Sequence, residues 1–225
     1  MNKISDNLLR IKNELPSTVE LVAVSKFHPA SAIQEAYNVG QRIFGESRAQ
    51  EFKKKVEILP KDIEWHFIGH LQTNKLKMVL PYASLIHSVD SEKLLFSIDR
   101  YAISHNLKIS VLLEVFIATE SSKSGFDSEE LLKLLDKINN DNSLKNTKII
   151  GLMGMASYTE NEGQIKKEFS TLVELFHNIK NKQYSFLEGH FDKLSFGMSG
   201  DYKIAMNMGA NYVRIGTAIF GPRQY

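Results

Sequence analysis

The chain has 225 residues, 43% of them hydrophobic and 24% charged, with a net charge of +2 and no cysteine. Single α/β barrels commonly run to roughly 200–250 residues, so the length suits one such barrel with a sizeable core. Disulfides and thiolate metal sites are excluded, and so small a net charge argues against nucleic acid or another polyanion as partner.

The chain opens on a polar stretch, Met1-Asn2-Lys3-Ile4-Ser5-Asp6, which lacks the apolar core of a signal peptide. No apolar run approaches the roughly 20 residues that cross a bilayer. A cytoplasmic protein is expected, and the lack of cysteine is compatible with that compartment. Helical spacing over Ile4 to Glu14 predicts a first helix, with residues 1–15 packing on the domain that follows.

Two kinds of segment then alternate. Short β-branched or aromatic runs, such as Leu21-Val22-Ala23-Val24-Ser25, predict strands over 20–25, 42–45, 64–68, 84–88, 108–116, 147–155, 193–197 and 211–215. Stretches with helical apolar spacing predict helices over 29–39, 47–58, 73–80, 91–104, 127–139, 162–178 and 200–208, with a last turn over 217–220. Eight alternating strands argue for a (β/α)8 barrel spanning residues 1–225 as one domain. The count leans on Arg42 to Gly45 and Leu85 to Ser88; losing either would favour an open doubly wound sheet. Lys53-Lys54-Lys55 reads as a solvated helix face, and 139–143, all polar, as a surface loop.

In such barrels the site forms at the carboxyl ends of the strands. Strand one ends in Ser25-Lys26-Phe27-His28, and a lysine there is either an ordinary surface charge or a desolvated amine. Desolvation favours the neutral form that attacks an aldehyde. After strand seven, Ser199-Gly200-Asp201 opens a predicted helix; after strand eight, Gly216-Thr217 lets the backbone approach a ligand. Each is either a helix cap or part of an anion site, and phosphate sites in barrels are often built from these two loops. Arg214 faces inward from strand eight and needs a partner or a ligand. A lysine facing a phosphate site across a barrel mouth suits a phosphorylated aldehyde, a description that pyridoxal 5'-phosphate (PLP) meets. Beside a pyridine nitrogen, Arg214 could only donate a hydrogen bond.

His66, His70 and Glu46 lack a metal-ligand spacing and read as pocket lining or structural hydrogen bonding, so no metal is expected. Gly197-Met198-Ser199-Gly200-Asp201 lacks the last glycine of a nucleophile elbow. No dinucleotide or Walker-type loop occurs. Met153, Met155, Met198, Met206 and Met208 read as core filling near the barrel ends.

Leu21-Val22-Ala23-Val24-Ser25-Lys26, Phe44-Gly45-Glu46, 65–72 (WHFIGHLQ), Ser122-Lys123-Ser124-Gly125, Gly151-Leu152-Met153 and 213–221 (VRIGTAIFG) together resemble the pyridoxal phosphate homeostasis proteins, from about Val19 to Arg223. The resemblance implies a PLP-binding barrel of the alanine racemase N-terminal kind that controls free PLP without established turnover. It implies Lys26 as the Schiff-base lysine, Ser199, Gly216 and Thr217 as phosphate contacts, Met198 as their neighbour and Arg214 at the pyridine nitrogen. It further implies a monomer, with PLP-dependent apo-enzymes as recipients. Three positions depart from the family pattern. Ser47-Arg48 stands where Asn-Tyr is usual, so any contact from Ser47 to the cofactor ring is shorter in reach. Phe116 replaces an Asn, and Gly154-Met155-Ala156 replaces Thr-Ile-Ala or Thr-Met-Ala.

The alternative is a PLP-dependent racemase, which needs a proton-transfer group on each face of the substrate's α-carbon. In the related racemases the second base is a tyrosine from another domain of a partner subunit. Only about ten residues follow the last predicted strand, leaving no such domain expected here. A third reading, a barrel enzyme using a phosphorylated substrate without cofactor, predicts a protein that stays colourless when PLP is added.

Overall fold

The computed structural model describes residues 3–119 and 125–222. The segment Ser122-Lys123-Ser124, the start of the chain before Lys3 and the end from Arg223 lie outside the described residues.

Eight parallel strands close into a barrel in sequence order: β1 (Glu20–Val24), β2 (Ile43–Glu46), β3 (Glu64–Phe67), β4 (Leu85–Val89), β5 (Ile109–Val115), β6 (Thr147–Gly154), β7 (Lys193–Ser195) and β8 (Tyr212–Ile215). β8 closes on β1, with Leu21 opposite Val213 and Val22 opposite Arg214. The helices are α1 (Lys3–Glu14), α2 (Ala30–Asn38), α3 (Ala49–Ile58), α4 (Leu76–Val79), α5 (Glu92–Ser104), α6 (Ser128–Asp141), α7 (Glu162–Asn181), α8 (Tyr202–Asn207) and α9 (Thr217–Phe220). Both strands on which the count leaned, β2 and β4, are present, so the sheet is closed. No helix among the described residues is long and apolar enough to cross a membrane.

Strand alternation divides the core. Trp65 and Phe67 face outward onto Phe52 of α3, with ring centroids 5.8 and 5.9 Å from it, and Phe44 packs beside Trp65 at 6.0 Å. Burying each such ring contributes about 2–3 kcal/mol. Inside the barrel, Val22, Leu85, Leu112, Met153 and Tyr212 form an apolar cluster. Two residues further along three of these strands stand His87, Glu114 and Arg214, all buried. The interior is therefore apolar first and polar toward the carboxyl ends of the strands.

α1 packs across one flank through Leu8 and Ile11, both fully buried. Asn7 donates to the Ile219 carbonyl of α9 at 3.1 Å, and Tyr202 of α8 donates to Glu14 at 2.6 Å. The first helix thus braces the elements that follow β7 and β8.

Three expectations are corrected. α6 continues through Asp141, because Asn142 takes the left-handed C-terminal position (φ 46°) that asparagine tolerates, so the loop begins later than predicted. Met198 is 37% exposed rather than core filling. Lys55 is buried, its ammonium held by Glu46 and Glu51 at 2.7 and 2.6 Å, so the lysine run is not a uniformly solvated face.

Candidate functional site at the carboxyl end of the barrel

β7, β8, β1 and β2 are consecutive around the barrel, so the loops that follow them adjoin. Lys26 lies just past β1 and is half-buried. Ser47, also half-buried, lies just past β2. Met198 and Ser199 follow β7, Arg214 lies within β8, and Gly216 and Thr217 follow it.

Several contacts tie these loops together. A Cβ on Gly216 would stand 3.1 Å from the Val24 carbonyl oxygen, so the glycine lets the β8 loop lie close against the end of β1, two residues before Lys26. His28 stacks on Phe220 with ring centroids 5.1 Å apart. Ala218 N–H points at the Ser199 hydroxyl oxygen at 3.5 Å, joining the β7 and β8 loops. Ser199 does not begin α8 as expected. Residues 198–201 form a turn in which Met198 N–H donates to the Asp201 carboxylate and Asp201 N–H donates back to the Met198 carbonyl, and the helix starts at Tyr202. Ser199 is thereby left at the mouth instead of capping a helix.

Ser47 sits where Gly69 makes room for it. A Cβ on Gly69 would fall 2.3 Å from the Ser47 carbonyl oxygen and 2.6 Å from its Cα, so only glycine permits this approach. Arg48, which departs from the family pattern, lies with its guanidinium carbon 4.3 Å above the Phe27 ring, next to Lys26.

Arg214 is almost fully buried, as an inward-facing residue of β8 should be. Its Nη1 donates to the Ser195 carbonyl at 2.9 Å and to the Ser195 hydroxyl at 2.6 Å, and its Nη2 donates to the Gly154 carbonyl at 3.0 Å. Burial pulls its pKa down to about 10, opposed by the nearby Glu114 and Asp201 carboxylates, so it stays charged at neutral pH. The Ser195 hydroxyl is hydrogen-bonded to His87 Nδ1 at 2.9 Å, and His87 Nε2 to His66 Nδ1 at 2.9 Å. Burial lowers His66 to about 3 and takes His87 well below its ordinary value, so both rings are neutral. His66 is thus a member of a hydrogen-bonded interior chain. His70 lies apart, mostly exposed and paired with Asp90 at 2.8 Å.

Glu46 and Lys55 were not foreseen as partners. Glu46 is fully buried at the end of β2 and accepts from the Ser25 hydroxyl at 2.6 Å and from Lys55 at 2.7 Å. Burial raises its pKa to about 6 despite the ammonium beside it. The one sequence signal for the pair was a lysine nine positions after a glutamate, too common to single out.

The residues present fit PLP as a group. A half-buried lysine, a hydroxyl and main-chain N–H groups in two adjoining loops, and an internal donor from β8 match an aldehyde, a phosphate and a ring nitrogen respectively. An eight-stranded parallel barrel with a helix ahead of β1 and this mouth defines a class, the alanine racemase N-terminal domain, whose family model matches residues 1–224. The chain belongs to that family and, within it, to the pyridoxal phosphate homeostasis proteins. It is 41% identical over 207 residues to the pyridoxal phosphate homeostasis protein of Aquifex aeolicus, covering 92% of this chain and 88% of the relative. The protein of that name in Schizosaccharomyces pombe is 37% identical over 208 residues, covering 91% and 84%. Among solved structures, PipY of Synechococcus elongatus with PLP bound superposes with a TM-score of 0.86 at 34% identity, covering 97% of this chain and all of that one. An alanine racemase from Bartonella henselae shares the fold alone, at 17% identity and a TM-score of 0.76, this chain spanning 59% of its length.

Proposed function

We propose that this protein binds PLP reversibly through a Schiff base on Lys26 and serves intracellular PLP homeostasis, working as one PLP-binding domain. The observation that carries this reading is the half-buried Lys26 at a mouth shared with the Ser199 and Gly216–Thr217 loops. PLP supplies an electrophilic aldehyde, a phosphate dianion and a pyridine ring. Lys26 provides the nucleophilic amine. Ser199, Gly216 and Thr217 supply hydroxyl and main-chain N–H donors for the phosphate, beside Met198. Arg214 would donate toward the ring nitrogen and keep it unprotonated, which would weaken the ring as an electron sink and favour holding over turnover. Ser47, just past β2, would border the ring. We further infer a monomer in the cytoplasm that yields PLP to PLP-dependent apo-enzymes.

Purified protein mixed with PLP should turn yellow, and borohydride reduction followed by peptide mass mapping should place the label on Lys26. A colourless protein with no label would refute the reading and favour a barrel acting on a phosphorylated substrate. Chirality of alanine, serine or lysine followed over hours tests turnover; sustained racemisation dependent on Lys26 would establish the racemase alternative.

Gly69→Ala is expected to displace Ser47, because the clash is with backbone. Overpacking of this kind costs about 1–3 kcal/mol, and PLP affinity should fall about tenfold. Urea unfolding and a PLP titration check both; unchanged affinity would remove Ser47 from the site.

A further inference from the structure

The residues either side of Lys26 are both held by side chains of β2 and α3. Ser25 is held twice: its carbonyl accepts from Lys55 Nζ at 2.8 Å and its hydroxyl donates to Glu46 at 2.6 Å. Phe27 takes a left-handed conformation, φ 68°, that a bulky side chain disfavours. Its N–H donates to Glu51 Oε1 at 2.7 Å, and the same oxygen accepts from Lys55 at 2.6 Å. Arg48 covers the Phe27 ring. One ammonium, on the first two turns of α3, thus bridges two carboxylates and one carbonyl, and through them grips the backbone before and after Lys26.

We propose that Glu51 and Lys55 are positioning residues that fix the Lys26 turn and so confine where its amine can reach. The proposal rests on Lys26 being the PLP lysine. The physical reason is preorganisation. A lysine has a long flexible stem, and a turn that its own residues disfavour would otherwise relax and move the stem's root. Burying an ammonium between carboxylates is a poor way to gain stability alone, since desolvation offsets most of the attraction. Its return here is a defined backbone next to the amine.

The test compares PLP with pyridoxine 5'-phosphate, which carries the same ring and phosphate but an alcohol in place of the aldehyde and so cannot bond to the lysine. Glu51→Leu removes the acceptor for Phe27 N–H, whereas Glu51→Gln keeps an oxygen there. Glu51→Ala serves the same purpose should the leucine variant misfold. PLP affinity should fall about tenfold in Glu51→Leu, the order of one hydrogen bond to a charged group, and stay near wild type in Glu51→Gln. Pyridoxine 5'-phosphate should bind wild type and both variants alike. Equal weakening of both compounds would make the network merely structural, and undiminished PLP binding in Glu51→Leu and Glu51→Ala would show that it positions nothing. Wild type that yields no borohydride-fixed label on Lys26 would overturn the underlying reading and this proposal with it.

Discussion

Lys26→Ala is expected to abolish the borohydride-fixed PLP label, taking it from stoichiometric to none. An imine needs a primary amine, and Lys26 stands half-buried at the mouth where the β8 loop lies against β1. Lys55 is nearby, but its ammonium is fixed by three hydrogen bonds to Ser25, Glu46 and Glu51. Lys26→Arg should fail as completely, because a guanidinium stays protonated and forms no imine. Both variants should fold, since substitution at a partly exposed loop position changes stability by about 0.5 kcal/mol. Loose binding through the phosphate should persist in Lys26→Ala and weaken about tenfold further in a double variant with Thr217→Val. Mass spectrometry of reduced samples checks the first expectation. A stoichiometric label surviving in Lys26→Ala would transfer the cofactor to another lysine and end the case for this one.

Stability should fall steeply as pH drops below about 6.5, the ordinary histidine value, because of the pair inside the barrel. His66 and His87 have folded pKa values below their unfolded values, so the unfolded chain takes up protons first. Their contribution is whole above the unfolded pKa and is lost as pH falls toward the folded ones. Each group costs about 1.4 kcal/mol per pH unit in that window, and the pair about twice that. Glu46 works in the opposite sense. Its folded pKa of about 6 lies above the ordinary 4.5, so its contribution is present below the ordinary value and lost as pH rises through the folded one. Across this interval one carboxyl gains about 1.4 kcal/mol per unit on acidification while two histidines lose about twice as much, so the histidines win. His87→Gln keeps an acceptor and a donor without the titration, and it should remove about half of the histidine slope. Urea unfolding midpoints of both proteins across the acid range measure this. Identical slopes would mean that the pair is not the titrating element.

The barrel and most of its mouth were legible in the sequence because both depend on local regularities. Strand alternation sets the inward parity of Val22, His66, His87, Ser195 and Arg214, and short β-branched or aromatic runs between polar turns marked most of the strands. A fold whose active end lies at the carboxyl end of every strand then puts Lys26, Ser47, Ser199 and Gly216 on one rim without further information. The family motifs lie along the same strand ends, so they reinforce positions that the periodicity had already indicated.

What lay between non-adjacent elements could not be read in this way. Lys55 looked like one more cation in a polar run, and its burial depends on how α3 packs on β1 and β2, which places Glu46, Glu51 and the Ser25 carbonyl around one ammonium. Met198 looked like core because methionine usually is, yet the turn closed by Asp201 leaves it exposed. The Arg214–Ser195–His87–His66 chain joins four strands, and no spacing along one chain encodes a hydrogen bond across a barrel. The sequence by itself determined which residues reach the mouth, through a period of two and the polarity of parallel strands. Tertiary packing alone decided what holds Lys26 there, because desolvation and ion pairing depend on distances between elements that the order of residues does not contain.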